Sequence, residues 1–251
     1  MSSNIWTRCA GDSEIRPLRR SPWRVVEAQH QVSTRKLVDS LDEQALVEEL
    51  IDRAKPPHDG REGLHYLLFT PFRYPPLRHG SRFGTRHERG IWYGSESRRT
   101  MFSEVAYYRL LFLEGTTADL GVVTTQLTAF TAQMRTQRGV DLVSPPFDVH
   151  RRSIASRTSY EATKSLGAAM RDAGVELIRY PSARDAEGGV NVAAFTVAVF
   201  GSAAPRGFET WHCLATRERV ELSKRDYFRR DAFTFERASF LVSGRLPSPA
   251  V

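Results

Sequence analysis

The stretch GIWYGSESRRTMFSEVAYY, residues 90 to 108, places Glu104 among apolar side chains. The residues after GIWYGS are apolar nearly all round a helical wheel, which predicts a buried helix. No cation stands three or four residues away from Glu104, so local ion pairing cannot satisfy its carboxylate. Because an unpaired buried charge is costly, Glu104 must meet a distant arginine, face a cavity or bind a ligand. Spacing alone leaves these alternatives open.

Two arginines stand in sequence contexts that suit an anionic ligand. Arg73 in FRYPP ends an apolar run just before two prolines, and Arg82 in GSRFG lies between glycines that let the backbone come close to a ligand. The planar guanidinium binds a phosphate group through two parallel hydrogen bonds. A surface position is the alternative for either residue, and GSRFG is too short to count as a phosphate-binding loop.

Tyr93 and Ser182 each end a segment that resembles a strand. An aromatic residue such as Tyr93, at the end of GIWY, either packs in the core or stacks on a planar ring. Ser182 in YPSAR follows a proline that fixes a turn. No histidine and aspartate stand around it in an arrangement typical of a nucleophilic serine, so a turn residue is the alternative.

The composition is that of an ordinary globular protein, with 251 residues of which 41% are hydrophobic. The net charge of +7 and the pI of about 9.7 would suit nucleic acid. However, nearly all basic residues are arginines and acidic residues are interspersed among them, which is typical of a solvated mixed surface. The chain also lacks the aromatic and basic interleaving of RNA-binding modules. We therefore expect no direct contact with nucleic acid, and keep an RNA-binding or RNA-cleaving protein as the alternative class.

The sequence has no feature of a membrane or metal protein. It contains no apolar run long enough to span a membrane, and its N-terminus has no apolar core of a secretory signal. Cys9 and Cys213, with seven scattered histidines, match none of the usual zinc spacings. We therefore expect a cytoplasmic protein without a metal site.

Helical and strand patterns are mixed without regular alternation, which predicts an α+β fold. Helices are predicted from Asp39 to Ala54, in SRRTMFSEVAYYRLLFLEG up to Gly115, and in SYEATKSLGAAMRDAG up to Gly174. Strands are predicted in HYLLFTPFRYPP, GIWYGS, ADLGVVTTQLTAFTAQM, VELIRYPSAR, VNVAAFTVAVFG and AFTFERASFLVSG, with SPPFDVH as an irregular connection. Residues 1–60 are predicted to form an N-terminal extension with one helix, packed on a main domain of residues 61–251.

The order of these motifs resembles that of the RES family, which is named for an arginine, a glutamate and a serine. The series FRYPP, GSRFG, GIWYGS, FSEVAYY and YPSAR followed by GGVN covers about residues 65 to 205. The resemblance implies three name-giving catalytic residues, which are Arg73, Glu104 and Ser182. It implies three further residues of an NAD-binding pocket, which are Tyr74, Arg82 and Tyr93.

RES toxins have a fold similar to that of ADP-ribosyltransferase toxins, and they consume NAD. The resemblance therefore implies a core of small β-sheets flanked by helices, and NAD as the substrate with no separate cofactor. It implies cleavage of the nicotinamide–ribose bond by hydrolysis or phosphorolysis, with mono-ADP-ribosylation of a protein as the alternative. It also implies a bacterial type II toxin whose pocket is covered by an Xre-type helix-turn-helix antitoxin. A homodimer is left open.

The resemblance also implies a role for each residue in the pocket. Arg73 and Arg82 would hold the pyrophosphate, and Tyr93 or Tyr74 would stack on the nicotinamide.

Glu104 would stabilise the positive charge that develops on the ribose, which is often the largest single contribution to catalysis. Ser182 would donate a hydrogen bond to the nicotinamide ribose or a phosphate, and would not act as a nucleophile.

Overall fold

Strands and helices are mixed along the whole chain in the computed structural model, which describes residues 4–28, 63–74, 78–225 and 231–248 and isolated positions between 40 and 50. The helices are α1 (Ile5–Arg8), α2 (Tyr66–Arg73), α3 (Arg98–Gly115), α4 (Arg151–Ile154) and α5 (Glu161–Asp172). The strands are β1 (Arg16–Arg20), β2 (Trp23–Glu27), β3 (Trp92–Ser95), β4 (Val123–Thr131), β5 (Met134–Asp141), β6 (Leu177–Pro181), β7 (Val190–Ala194), β8 (Arg206–Ala215), β9 (Arg219–Lys224) and β10 (Ala232–Glu236). The predicted α+β class is confirmed.

The described strands join edge to edge in one sheet with the order β1-β5-β6-β7-β3-β2-β4-β8-β9-β10. Strands β5 and β6 pair in parallel, and their neighbours pair antiparallel. The resemblance implied several small sheets, whereas these strands form a single continuous one. The sheet is continuous because β2 connects two groups of strands.

Strand β2 lies in the middle of the sheet although it comes from the start of the chain. It pairs with β4 from Trp23 to Glu27, but with β3 only where Trp23 lies opposite Ser95. Strand β1 pairs with β5. The N-terminal residues were predicted to pack on the core as an extension, and the structure differs in that they supply two strands of the sheet. These strands were missed because each is only 5 residues long and because three of the five residues of β1 are arginines. The boundary at residue 60 remains a prediction.

Helix α3 begins where the side chain of Ser97 accepts a hydrogen bond from the backbone N–H of Thr100. Phe102, Ala106, Leu110 and Leu113 are buried on one face, which shares a hydrophobic core with residues of β4, β8 and β9. The prediction of burial all round was wrong, since Tyr108 and Phe112 are 55% and 59% exposed. A helix on one face of a sheet leaves its outer side uncovered, whatever residues stand there.

The segment HYLLFTPFRYPP forms α2, so its prediction as a strand was wrong. Leu67 and Leu68 are buried and Phe72 is partly buried, which fits the three-to-four residue spacing of a helix as well as an apolar run. The His65 side chain accepts the backbone N–H of Leu67 at the start of the helix. Short apolar runs cannot be assigned by periodicity alone, and here the flanking prolines favoured the wrong choice.

The other predicted elements are confirmed in part, since VNVAAFTVAVFG and AFTFERASFLVSG form strands only in their first five residues and then short 3-10 helices at Val197–Val199 and Arg237–Phe240. Helix α3 ends at Gly115, and α5 ends before Gly174, which has the positive φ of +69° that a helix-terminating glycine adopts. SPPFDVH contains turns and a short 3-10 helix. The predicted helix from Asp39 to Ala54 lies outside the described residues, apart from isolated positions. In the part of the chain that is described, no helix has the length and apolar character needed to cross a membrane.

Candidate functional site

Glu104 is held by two neutral hydrogen-bond donors. Its Oε1 atom accepts from Ser182 Oγ at 2.8 Å and from Asn191 Nδ2 at 2.7 Å. Within the described part of the chain, the Glu104 carboxylate forms no ion pair, so the structural pairing with a distant arginine is not found. Neutral donors fix the position of a carboxylate without cancelling its charge, so Glu104 keeps a negative field available to a ligand.

Ser182 is buried at the turn after β6, and its hydroxyl is bonded on every side. Its Oγ accepts the backbone N–H groups of Arg184 and Asp185, each at 3.1 Å, while its own proton goes to Glu104. A serine hydroxyl has one proton to donate and two lone pairs, so this arrangement uses its full capacity. In this geometry Ser182 orients Glu104. Its predicted bond to ribose or phosphate stays a prediction.

Asn191 on β7 is a site residue that sequence reasoning missed. Its Oδ1 accepts from Ser95 Oγ at 2.7 Å, and this contact turns the amide nitrogen toward Glu104. Ser95 and Asn191 lie opposite each other where β3 pairs with β7. Two signals could have found it: Asn191 ends the GGVN motif, and it is the one polar side chain in the buried strand VNVAA.

Gly189 brings the start of β7 against the first turn of α3. A Cβ atom at this position would lie 2.0 Å from Thr100 Oγ1 and 2.3 Å from Asp185 Oδ2, so no side chain fits. These two neighbours are themselves hydrogen-bonded at 2.8 Å. The GG pair of the motif therefore allows the close approach that brings Asn191 within reach of Glu104.

Tyr93 forms part of the wall next to this cluster. Its hydroxyl donates to Ser81 Oγ at 2.9 Å, and its ring meets Tyr180 edge-on with centroids 6.5 Å apart. Burial raises the pKa of Tyr93 to about 12, although the hydrogen bonds that its hydroxyl forms with Ser81 and with the backbone N–H of Phe83 oppose this rise. Tyr93 is therefore a neutral aromatic wall at physiological pH.

Arg82 is buried rather than on the surface. Its Nη1 atom donates to the carbonyl oxygens of Ile154 at 2.9 Å and Ser156 at 3.0 Å, and its guanidinium lies 4.5 Å from the centroid of the Tyr160 ring. The GSRFG loop is fixed against α5, because a Cβ atom at Gly167 would lie 2.1 Å from the Phe83 carbonyl oxygen. Arg82 is therefore a buried cation in a fixed loop.

Tyr180 lies near Glu104, Arg82 and Tyr93, and each of these residues affects the pKa of its hydroxyl. Burial raises its pKa well above the ordinary value, and the negative charge of Glu104 raises it further, while Arg82 opposes the rise. Tyr93 also acts on it. Glu104, Arg82 and Tyr93 therefore all lie near the Tyr180 ring. That they line one ligand pocket, as the family resemblance implies, stays a prediction.

Arg73 and Tyr74 lie at the C-terminal end of α2, next to Gly90. A Cβ atom at Gly90 would be 1.9 Å from the Pro71 carbonyl oxygen and 2.8 Å from that of Tyr74. This contact sets the end of α2 beside the residues that lead into β3 and Tyr93. The direct role of Arg73 and Tyr74 toward a ligand remains a prediction. No group of three or more metal-ligating side chains is found among the described residues.

Comparison with known proteins identifies the family. The model of the RES domain matches residues 50–214, which is more than half of the chain. No curated protein matches the sequence. Among solved structures, one similar chain comes from the crystal structure of the M. tuberculosis MbcT–MbcA toxin–antitoxin complex, with 13% identity, a TM-score of 0.48, and coverage of 85% of this chain and 92% of that chain. On the strength of the domain match, the chain belongs to the RES domain family.

Proposed function

We propose that the protein cleaves NAD at the nicotinamide–ribose bond and acts as the toxin of a type II toxin–antitoxin pair. The observation that supports this most is the Glu104 carboxylate, which two neutral donors hold in place while no described cation pairs with it. A fixed and uncompensated negative charge is suited to stabilising a cation that exists only during a reaction.

The cleavage of NAD creates such a cation. When the bond between nicotinamide and ribose breaks, its electron pair neutralises the pyridinium ring and nicotinamide leaves. The positive charge moves to the ribose, which becomes an oxocarbenium ion. Water or phosphate then adds through an oxygen atom to the same carbon and gives up a proton if water is the acceptor. Glu104 would stabilise the oxocarbenium and hold the incoming nucleophile or a ribose hydroxyl through Oε2.

The surrounding side chains suit the rest of the substrate. Arg82 supplies a buried positive charge for the pyrophosphate, and Tyr93 a neutral aromatic surface near the nicotinamide. Arg73 and Tyr74, at the end of α2, would complete the pocket from the adjacent side. Ser182 and Asn191 would act indirectly, by keeping the Glu104 carboxylate in one orientation.

The role as a toxin and the antitoxin partner rest on family resemblance. RES proteins are known as toxins of RES–Xre pairs, so we propose an Xre-type helix-turn-helix antitoxin that covers the pocket in the bacterial cytoplasm. The presence of a small helix-turn-helix gene next to this one would support the pairing. Expression of this chain alone should then arrest growth, and co-expression of that neighbour should restore it.

The direct test is product analysis with the purified full-length chain. NAD labelled in the adenosine part is incubated with and without phosphate, and the products are identified by mass spectrometry. Release of nicotinamide with the label on ADP-ribose indicates hydrolysis, and the label on ADP-ribose-1″-phosphate indicates phosphorolysis. Label on protein would replace this proposal by mono-ADP-ribosylation. Stable NAD together with salt-dependent RNA binding would favour the nucleic-acid alternative.

A further inference from the structure

Arg184 and Arg157 form a pair of cations that the site described above does not use. Arg184 is only 3% exposed, and its Nη1 atom lies 3.4 Å from the backbone carbonyl oxygen of Arg157. Its guanidinium covers the Tyr107 ring, with Cζ 3.5 Å from the ring centroid. Arg157 in turn donates from Nη2 to the Ser239 carbonyl oxygen at 2.6 Å. Both guanidiniums are therefore held in place by neutral groups.

Hydrogen-bonding capacity remains unused on both arginines. Arg184 Nη2 and Arg157 Nε are buried nitrogen atoms without a hydrogen-bond partner. Neither side chain forms an ion pair with a carboxylate of the described residues. Asp185, the nearest acid along the chain, is directed elsewhere, since its carboxylate contacts Thr100 at 2.8 Å and Arg99 at 3.5 Å.

The two positive charges also repel each other. The pKa of Arg157 is lowered, first by burial and then by the charge of Arg184, while Tyr107 opposes the shift. Holding two like charges in a partly desolvated place without a counterion is costly, and an anion between them would remove that cost.

The pair lies directly beside the Glu104 cluster. The backbone N–H of Arg184 donates to Ser182 Oγ at 3.1 Å, and Ser182 donates to Glu104. Tyr107, which Arg184 covers, lies within reach of the charges of both Arg184 and Glu104. A group bound by the two guanidiniums would therefore lie near the Tyr107 ring, within the electrostatic reach of the Glu104 carboxylate that would act on the ribose.

We propose that Arg157 and Arg184 form a binding subsite for a phosphate group next to Glu104. The arginine fork matches the geometry and charge of phosphate, and two forks would bind one group from two sides. The inference rests on the proposed NAD cleavage for its meaning, because the phosphate could belong to the NAD pyrophosphate or be a free phosphate that accepts the ribosyl group. Binding of phosphate as such does not depend on that activity.

The first experiment measures phosphate binding without turnover. The thermal unfolding of the full-length chain is followed with inorganic phosphate or with chloride at equal ionic strength. We expect phosphate to stabilise the wild type, and Arg157→Gln and Arg184→Gln to lose most of this shift. Arg152→Gln, which changes an exposed arginine nearby, serves as the control and should keep it. Equal stabilisation of all four proteins, or no stabilisation of the wild type, would overturn the subsite.

The second experiment identifies the source of the phosphate group. If it belongs to NAD, phosphate inhibits in competition with NAD, and Arg157→Gln raises KM for NAD by about tenfold or more while kcat changes less. If it is the acceptor, phosphate accelerates NAD loss, and Arg157→Gln weakens that acceleration with KM for NAD unchanged. If Arg157→Gln matches Arg152→Gln both in KM for NAD and in the effect of phosphate on NAD loss, the subsite is contradicted.

The two experiments also separate this inference from the proposed function. Phosphate binding that depends on the arginine pair, in a chain that leaves NAD intact, would keep the subsite and reject NAD cleavage. Normal NAD cleavage in folded Arg157 and Arg184 variants, with no loss of phosphate stabilisation, would reject the subsite and keep NAD cleavage. If Arg184→Gln does not fold, as judged by circular dichroism, the less buried Arg157→Gln decides.

Discussion

Ser182 and Glu104 are joined by a hydrogen bond of 2.8 Å in which the direction is fixed, because the serine oxygen already accepts two backbone N–H groups. Two of the three name-giving residues of the family thus form one unit, with the serine as the orienting partner and the glutamate as the charged one.

Replacing Ser182 by alanine leaves the N–H groups of Arg184 and Asp185 without that acceptor. We expect a loss of about 1–3 kcal/mol in the free energy of unfolding, measured with urea, and a lower kcat with a small change in KM for NAD. Unchanged stability and kcat in Ser182→Ala would show that the hydrogen bond between Ser182 and Glu104 contributes to neither folding nor catalysis.

Glu104→Gln should abolish most of the activity without unfolding the chain. The amide has nearly the same shape but no charge, so on the proposed mechanism the oxocarbenium would lose its stabilising field. Removal of one such group typically lowers kcat about 100-fold or more. Nicotinamide release is the measurement. Glu114→Gln on the same helix is the matched control, since Glu114 pairs with Arg237 near the surface. Full activity in Glu104→Gln would remove Glu104 from the mechanism.

Asn191→Leu tests the residue that sequence reasoning missed. The variant keeps the size of the side chain but removes the donor to Glu104 and the acceptor for Ser95. We expect kcat for NAD loss to fall by about tenfold, because Glu104 is then held from one side only. A pure positioning role predicts that Asn191→Leu combined with Glu104→Gln is no slower than Glu104→Gln alone. Additive losses in this double variant would indicate that Asn191 contacts the substrate itself.

Gly189→Ala should destabilise the protein, because the added Cβ atom would overlap Thr100 and Asp185. Forcing an extra methyl group into a closely packed site costs about 1–3 kcal/mol. Gly115→Ala is the control, since no atom lies within 4 Å of the Cβ position there. Urea unfolding should show a lower midpoint for the first variant and a change within about 0.5 kcal/mol for the second. Equal midpoints would mean that the start of β7 moves freely away from α3.

The buried hydroxyl of Tyr93 predicts that the free energy of unfolding falls at alkaline pH. Burial raises its pKa from the ordinary 10.0 to about 12, so the folded state disfavours the phenolate. The contribution of Tyr93 is complete below pH 10.0 and is lost as the pH rises toward about 12, by about 2–3 kcal/mol in total. Tyr93→Phe lacks this loss, so its free energy of unfolding relative to wild type should improve as the pH rises from 10.0 toward about 12. A difference that is constant with pH would contradict the burial of the hydroxyl.

The sequence predicted the elements whose pattern is local and strong. The α3 helix, with its end at Gly115, and the strands around Tyr93 and Ser182 follow from hydrophobic periodicity and from glycine and proline signals. The lack of a local partner for Glu104 also followed from helical spacing. Strands β1 and β2 could not be found in this way, because their burial depends on neighbours from distant parts of the chain. Asn191 was missed for a similar reason: its function comes from its register opposite Ser95, which only the folded sheet defines.

The position of β2 has a consequence for how the protein reaches its working form. Ser182 and Asn191 belong to the β6 and β7 side of the sheet, whereas the buried face of the Glu104 helix shares a core with residues of β4, β8 and β9. Trp23 on β2 pairs with both β3 and β4, so the two sides meet there. Strand β2 is synthesised before β3 and β4 but can pair only after both have been made. Pairing between such distant segments is slow, because the entropy cost of closing the long loop between them arises before the stabilising contacts form. We therefore expect the Glu104 cluster, which joins groups from both sides of the sheet, to be completed late in folding.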